Sequence, residues 1–158
     1  MPRYLITLTA DEFVDASDFV HWLAHHELAE PGLHGKDIFY SKAQKPVKKG
    51  DIIIWLYKKP REKDVFLAGF APVRSSVQGL FFRLPGPDGK SKHYHSIISI
   101  EPKGKVVKKV KMSQKQFDEV FKATCEAKAK KALTLEQLAR SGTFVSEKEF
   151  RKLKGLLK

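Results

Sequence analysis

"PVKKGDIIIWLYKKPREKDVFLAGFAPV", residues 46–73, decides how the rest of the chain is read. Ile52 to Tyr57 is an unbroken apolar run, and a second, Val65 to Val73, follows the charged segment "PREKD". β-Branched and aromatic residues favour a pleated, packed surface, so both runs predict strands joined as a hairpin. Neither alternates apolar with polar residues. Strands buried on both faces read as such continuous apolar runs. Trp55, inside "IIIWLY", is accordingly assigned to the core. The run is far too short to span a bilayer.

Working outward, "RYLITLT" predicts a first strand and "ASDFVHWLAHHELAEPG" a helix. In that helix Ser17 can cap, Phe19, Trp22, Leu23 and His26 share a face, and Pro31-Gly32 ends it. A short extended piece is expected at Asp37 to Tyr40, in a stretch that is otherwise loop. "VQGLFFRL" and "HYHSIISIE" are expected to pair across "PGPDGKSK", whose Pro-Gly and Asp-Gly steps favour a turn. "KVVKKVKM" is a further, lysine-edged strand. "SQKQF", "TLEQL" and "SEKEF" each carry capping-box spacing, and Phe150, Leu153 and Leu157 form a helical stripe that should dock on the sheet. The whole, residues 1–158, reads as one α+β domain. It is a curved mixed sheet or small open β-barrel of about five or six strands with flanking helices.

Charge narrows the partners. Thirty Lys plus Arg against eighteen Asp plus Glu leave a formal charge of +12, and the sequence pI is near 9.8. A field of that sign attracts polyanions, nucleic acid first among them. Lysine greatly outnumbers arginine, and lysine grips phosphate without reading sequence. The one cysteine, Cys125, excludes an internal disulfide and reads as a small buried thiol on a helix. The amino terminus lacks a signal-peptide pattern, so a cytoplasmic protein away from membranes is expected.

No catalytic signature is present. There is no phosphate-cradling glycine motif and no nucleophile elbow, and no cofactor is implied. His21 and His25 have the i, i+4 spacing of paired metal ligands, with His26 beside them, but no third ligand pattern completes a site. His93 and His95 flank Tyr94 on a strand and read as packing or stacking residues. The expected role is binding.

Residues 46–73 resemble the centre of EVE domains, where a basic K-x-G-D turn leads into an apolar strand, a charged hairpin and a glycine-containing strand. The YTH family shares this PUA-like fold, and the likeness extends to it. "PRYLITLTADEF" looks like the YTH opening strand and polar loop, "DIFYSK" like the segment bearing its first cage aromatic, and "FFRLP" like the segment bearing its second. "ARSGTFVSEKEFRKL" is similar to the way many EVE domains close. YTH domains clamp N6-methyladenine in RNA between aromatic walls. EVE domains are thought to read modified bases, often in DNA, and some target modification-dependent restriction systems.

The resemblance therefore implies a non-catalytic reader of a modified base, in DNA or RNA, with N6-methyladenine as the reference ligand. The alternative is a general PUA-like RNA-binding domain without base selectivity. It also implies that the chain can serve as one module of a larger nucleotide-driven complex. Carried over by position, Tyr40 and Phe82 fall at the two walls, and Ser41 falls where a backbone carbonyl meets the exocyclic N–H. Thr7, Thr9 and Asp11 fall near the base edge, and Leu84, Trp55 or Tyr94 can supply a third wall. The YTH walls are mostly tryptophan, and the family's base-edge asparagines are absent here. Beside the walls, Lys42, Lys45, Lys48 and Lys49, then Arg83, Lys90 and Lys92, are candidates for the phosphates.

The residue types suit the task. Stacking on an aromatic contributes about 1–3 kcal/mol per base, which can offset the few kcal/mol needed to extrude it. A buried methyl adds only about 0.8 kcal/mol, so sharp selectivity requires a polar edge group that the wrong base leaves unpaired. Of the adjacent pair Phe81 and Phe82, one belongs to the sheet and the other is offered to the base; the competing arrangement buries both.

Overall fold

The computed structural model describes residues 2–9, 15–25, 38–41, 47–59, 62, 64–77, 82–85, 91–94, 96–121 and 142–157. In chain order these form β1 (Tyr4–Thr9), α1 (Ala16–His25), β2 (Ile38–Ser41), β3 (Ile52–Tyr57), β4 (Val65–Val77), β5 (Phe82–Pro85), β6 (Ser91–Tyr94) and β7 (Ser96–Ile100). A 3₁₀ turn, Pro102–Gly104, leads to β8 (Val106–Met112), α2 (Gln114–Val120), β9 (Thr143–Val145) and α3 (Glu147–Leu156). The main sheet runs β2-β7-β4-β3-β1-β9, with β8 also paired to β4; β5 and β6 form a separate two-stranded sheet. Only β1 and β3 pair in parallel among the described strands, so the sheet is mixed and the α+β class holds.

The expected hairpin is β3–β4, and β4 is the spine of the molecule. Along one edge it pairs with β3 from Phe66 to Pro72; along the other it pairs first with β8, from Val65 to Phe70, and then with β7, from Val73 to Val77. The registers with both β3 and β8 shift between Leu67 and Gly69. Gly69 takes φ 141° there, and a Cβ built on it would lie 2.0 Å from the Val106 carbonyl oxygen. A bulge of this kind bends a strand and steepens its twist, which curves the sheet.

Both faces of β3 are buried, as its unbroken apolar run requires. One face carries Tyr4, Ile6, Ile54, Leu56, Leu67 and Phe70 against Phe117, Phe121, Phe150 and Leu153 of the α2 and α3 segments. Phe150 stacks on Tyr4 at 4.6 Å between centroids and meets Phe70 edge-on at 5.1 Å. The other face holds Leu5, Ile53, Trp55, Tyr57, Ala71, Ile98 and Ile100 under Phe19 and Leu23 of α1. Trp55 is fully buried, which removes it as a cage wall.

Ser113–Gln116 and Ser146–Glu149 form full capping boxes that start α2 and α3. The stripe of Phe150, Leu153 and Leu157 is buried. The continuous path of the main sheet has six strands, as expected, and β8 and the β5–β6 pair are additions to it. Two expectations need correction. Ser17 lies inside α1, and Asp15 instead caps it by accepting from the Asp18 N–H at 2.8 Å. "HYHSIISIE" is two strands rather than one: β6 pairs with β5, whereas β7 leaves for β4 and β2 because Ile98 and Ile100 are needed in the main core. Cys125 and "TLEQL" lie outside the described residues. No helix among those described is long and apolar enough to cross a membrane.

Gly69→Ala should destabilise the protein by about 3 kcal/mol or more, since both its φ and its clash with backbone forbid a side chain. Urea unfolding at neutral pH measures it, and a loss below about 1 kcal/mol would mean that the bulge can relax.

Candidate nucleic-acid interface

The turn "KKGD" that precedes β3 is held by its last residue. Asp51 is buried, and its carboxylate accepts from the Arg3 backbone N–H (3.1 Å), the Arg3 guanidinium (2.8 Å) and the Lys48 N–H (3.1 Å). The Asp51 N–H closes the turn on the Lys48 carbonyl at 3.0 Å, and Gly50 supplies the positive φ of 94° that the turn requires. Arg3 is itself fixed, its guanidinium carbon lying 4.5 Å from the centre of the Phe144 ring. Burial alone would raise the Asp51 pKa. The hydrogen bonds from Arg3 and Lys48, with the Arg3 charge, outweigh it and hold the carboxyl below its ordinary 3.8.

This turn delivers Lys48 and Lys49, both exposed, to one half of the sheet. The Gly50 N–H donates to the Val73 carbonyl at 3.0 Å, and the Val73 N–H donates to the Asp51 carbonyl at 2.8 Å. The Ser76 hydroxyl donates to the Val47 carbonyl. Ser76 is paired with Ile98, and Ile98 with Phe39, so Phe39 lies two strand spacings from Ser76, about 10 Å. The neighbouring row runs Val77, Ile97, Tyr40. In that row Val77 is 53% exposed, the most exposed large hydrophobic side chain among those whose burial is described.

The two stretches proposed as walls are both linked to this end of β7. Ser41 is paired with Ser96 at the start of β7, and Tyr94, two residues earlier, ends β6 paired with Phe82. Strand spacing and chain reach bound the Ser41–Phe82 Cα separation at about 18 Å. Tyr94, one of the alternatives for a third wall, is thus the cross-strand partner of Phe82, while Leu84 is paired with Lys92 and Arg83 with His93. These are backbone registers.

The base-edge residues fare differently. Thr7 is 7% exposed and its hydroxyl donates to the Ile54 carbonyl at 3.4 Å, so in this arrangement it ties β1 to β3. Thr9 ends β1 opposite Tyr57. Asp11, Lys42, Lys45 and Lys90 lie outside the described residues.

A shallow depression of about 180 Å³ lies at the start of α1, lined by Asp15, Ser17, Tyr57, Lys59, Glu62 and Lys109 among others. Its lining carries two lysines and two carboxylates, which gives it little pull on a polyanion. His21 is exposed, and no group of three potential metal ligands occurs among the described residues.

One residue near the walls escaped the sequence reading. Arg74 is exposed, and its Nε and Nη2 donate to the Ser99 hydroxyl at 3.2 and 3.0 Å, across the β4–β7 pairing. The signal was available in "VRSSV", where the apolar run of β4 gives way to polar residues.

No protein-family model matches the sequence, and no curated protein sequence matches it. Two crystal structures from Zymomonas mobilis are similar to it. A tyrosine-to-phenylalanine mutant of ZmASCH superposes with a TM-score of 0.54 at 10% identity, covering 97% of either chain. ASCH gives a TM-score of 0.52 at 14% identity, covering 97% of this chain and 94% of that one. The α+β fold is shared with these ASCH structures. At such identities the likeness is one of architecture.

The Asp51 anchor has a measurable pH signature. Its pKa is depressed by folding, so its stabilisation is complete above pH 3.8 and is lost as pH falls through the lower folded value. Asp51→Asn should cost about 2–3 kcal/mol at pH 7, with the gap to wild type closing as pH drops below about 4. Chemical denaturation from about pH 7 to about pH 2.5 tests it, and a gap that stays constant with pH would remove the ionised carboxylate as the cause.

Proposed function

We propose that the chain is a non-catalytic nucleic-acid-binding module that accepts one extruded, modified base between Tyr40 and Phe82. N6-methyladenine is the reference ligand. The observation that supports this is topological: β2 pairs with β7 at Ser41–Ser96, and β6, the partner of β5, ends at Tyr94, two residues before β7 begins, so both wall segments are tethered to the same end of β7. The +12 charge and the tethered Lys48-Lys49 turn beside the same end supply attraction to the phosphate backbone. The PUA-like architecture, shared with the ASCH domains of Zymomonas mobilis, is compatible with that role.

Two rings on a flipped base offset its extrusion, and the Ser41 carbonyl can accept the N–H that a methylated amine retains. Lys48 and Lys49, with Lys42, Lys45, Arg83, Lys90 and Lys92, would then meet the flanking phosphates. A second reading, binding without base selectivity, is favoured by Thr7, whose hydroxyl is committed to Ile54 and so leaves the base edge one polar group poorer.

Titration of methylated and plain single strands, RNA in one series and DNA in the other, separates these. The proposal expects tighter binding of the methylated strand, and a loss of about fivefold or more in that complex for Tyr40→Ala and for Phe82→Ala. Losses below about twofold for both substitutions would sink the cage. Equal wild-type affinity for methylated and plain strands would leave the unselective module.

A further inference from the structure

We propose that Arg74 and Val77, on the part of β4 beyond Gly69, form a second contact for the same strand. Arg74 would take a phosphate beside the extruded base, and Val77 would lie against the adjoining sugar or base. This rests on the reading above and adds to it a direction for the nucleic acid, across the rows of β4, β7 and β2.

Alternation along β4 and β7 sets the geometry. Val73, Ile98 and Ile100 are buried in the core under α1, and Ser76 is tied to Val47 of that same core. Val77 and Ser99 occupy the alternate positions and so belong to the opposite, outer surface. The register shifts again between Val73 and Ser75, and the bonds from Arg74 to Ser99 bring its guanidinium to that outer surface too. Toward Gly69 the surface is covered, for Leu67 and Phe70 pack into the cluster containing Phe150. Past Val73 the cover ends: Arg74, Ser75 and Val77 are exposed along one strand, with Ser76 alone half-buried.

Val77 stands out on that surface. A β-branched apolar side chain left 53% exposed gains little for the fold at that position. It shares its cross-strand row with Tyr40 through Ile97. A wall residue and an exposed apolar contact in one row suit a strand whose bases lie along that row.

Arg74 supplies the charge. Two of its N–H groups are held by Ser99, which orients the guanidinium across the strands and leaves its remaining donors for an acceptor. An arginine already held in this way loses less freedom on meeting a phosphate than an unrestrained lysine does. Arg74 and Val77 are about 10 Å apart along β4, so one strand can touch both. The occupant follows from charge: an exposed arginine on a +12 protein, with Lys48 and Lys49 tethered to the same stretch of β4, favours a polyphosphate chain.

The experiment is salt-dependent titration of a short methylated single strand, as RNA in one arm and DNA in the other, with the full chain. Arg74→Ala should weaken binding about tenfold at moderate salt and lower the slope of log affinity against log salt by about 0.7. Ser99→Ala should give a smaller loss with the slope intact, since it frees the arginine without removing its charge. Val77→Asp should weaken binding, whereas Val77→Thr should change it little. Lys152→Ala, which removes an equal charge from an exposed position on α3, should stay within about twofold of wild type. A greater loss in RNA than in DNA would assign the Val77 contact to the sugar, and an equal loss would assign it to the base. If wild type binds neither strand, the nucleic-acid reading fails and this inference with it. If wild type binds and Arg74→Ala alters neither affinity nor slope, or Lys152→Ala matches it, only the present inference falls.

Discussion

The molecule depends on a backbone-to-backbone approach that tolerates no side chain. At Gly69 the main chain of β4 passes so close to the Val106 carbonyl that a Cβ would stand 2.0 Å from its oxygen. The bulge formed there lets one strand of thirteen residues serve two neighbours on the same edge, β8 before it and β7 after it. A flat ladder would have one neighbour along its full length. Bending replaces that with a sheet whose two halves face different surroundings.

The first half is enclosed. Tyr4, Ile54, Leu67 and Phe70 lie against Phe117, Phe150 and Leu153 on one side, and Ile53, Trp55 and Tyr57 are part of the cluster with Phe19 and Leu23 on the other. This half supplies rigidity. The second half, where β4 runs past Val73 beside β7 and β2, carries exposed Arg74 and Val77 and receives the Lys48-Lys49 turn. Asp51 links the halves, because its carboxylate fixes that turn to Arg3 at the start of β1 while its backbone pairs with Val73. A binding surface on the second half thus inherits its positioning from the packed core of the first.

In the proposed function the same division separates affinity from selectivity. Positive charge and a few oriented basic groups can hold a phosphate chain whatever its sequence. Discrimination between bases must come from stacking and from edge groups, and the commitment of Thr7 to the Ile54 carbonyl shows that strand β1 spends one candidate on its own sheet.

Local patterns in the chain were enough for the elements and for the enclosed half of the fold. Two unbroken apolar runs around "PREKD" announce a hairpin buried on both faces, and the spacings in "SQKQF" and "SEKEF" announce capped helices, because those signals lie within a few residues of one another. The sequence also placed Trp55 inside, for the same reason. Strand pairing was beyond it. Nothing local says that "HYH" and "SIISIE" part company, or that β4 changes partner after Gly69, since both follow from distant segments competing for one edge and one core. Tyr40, Phe82 and Tyr94 could be named as aromatics from the sequence, but only the tertiary pairing Ser41–Ser96 and Phe82–Tyr94 brings their strands to a common end. Arg74 became visible last, because an exposed arginine acquires meaning only from the Ser99 that holds it across the neighbouring strand.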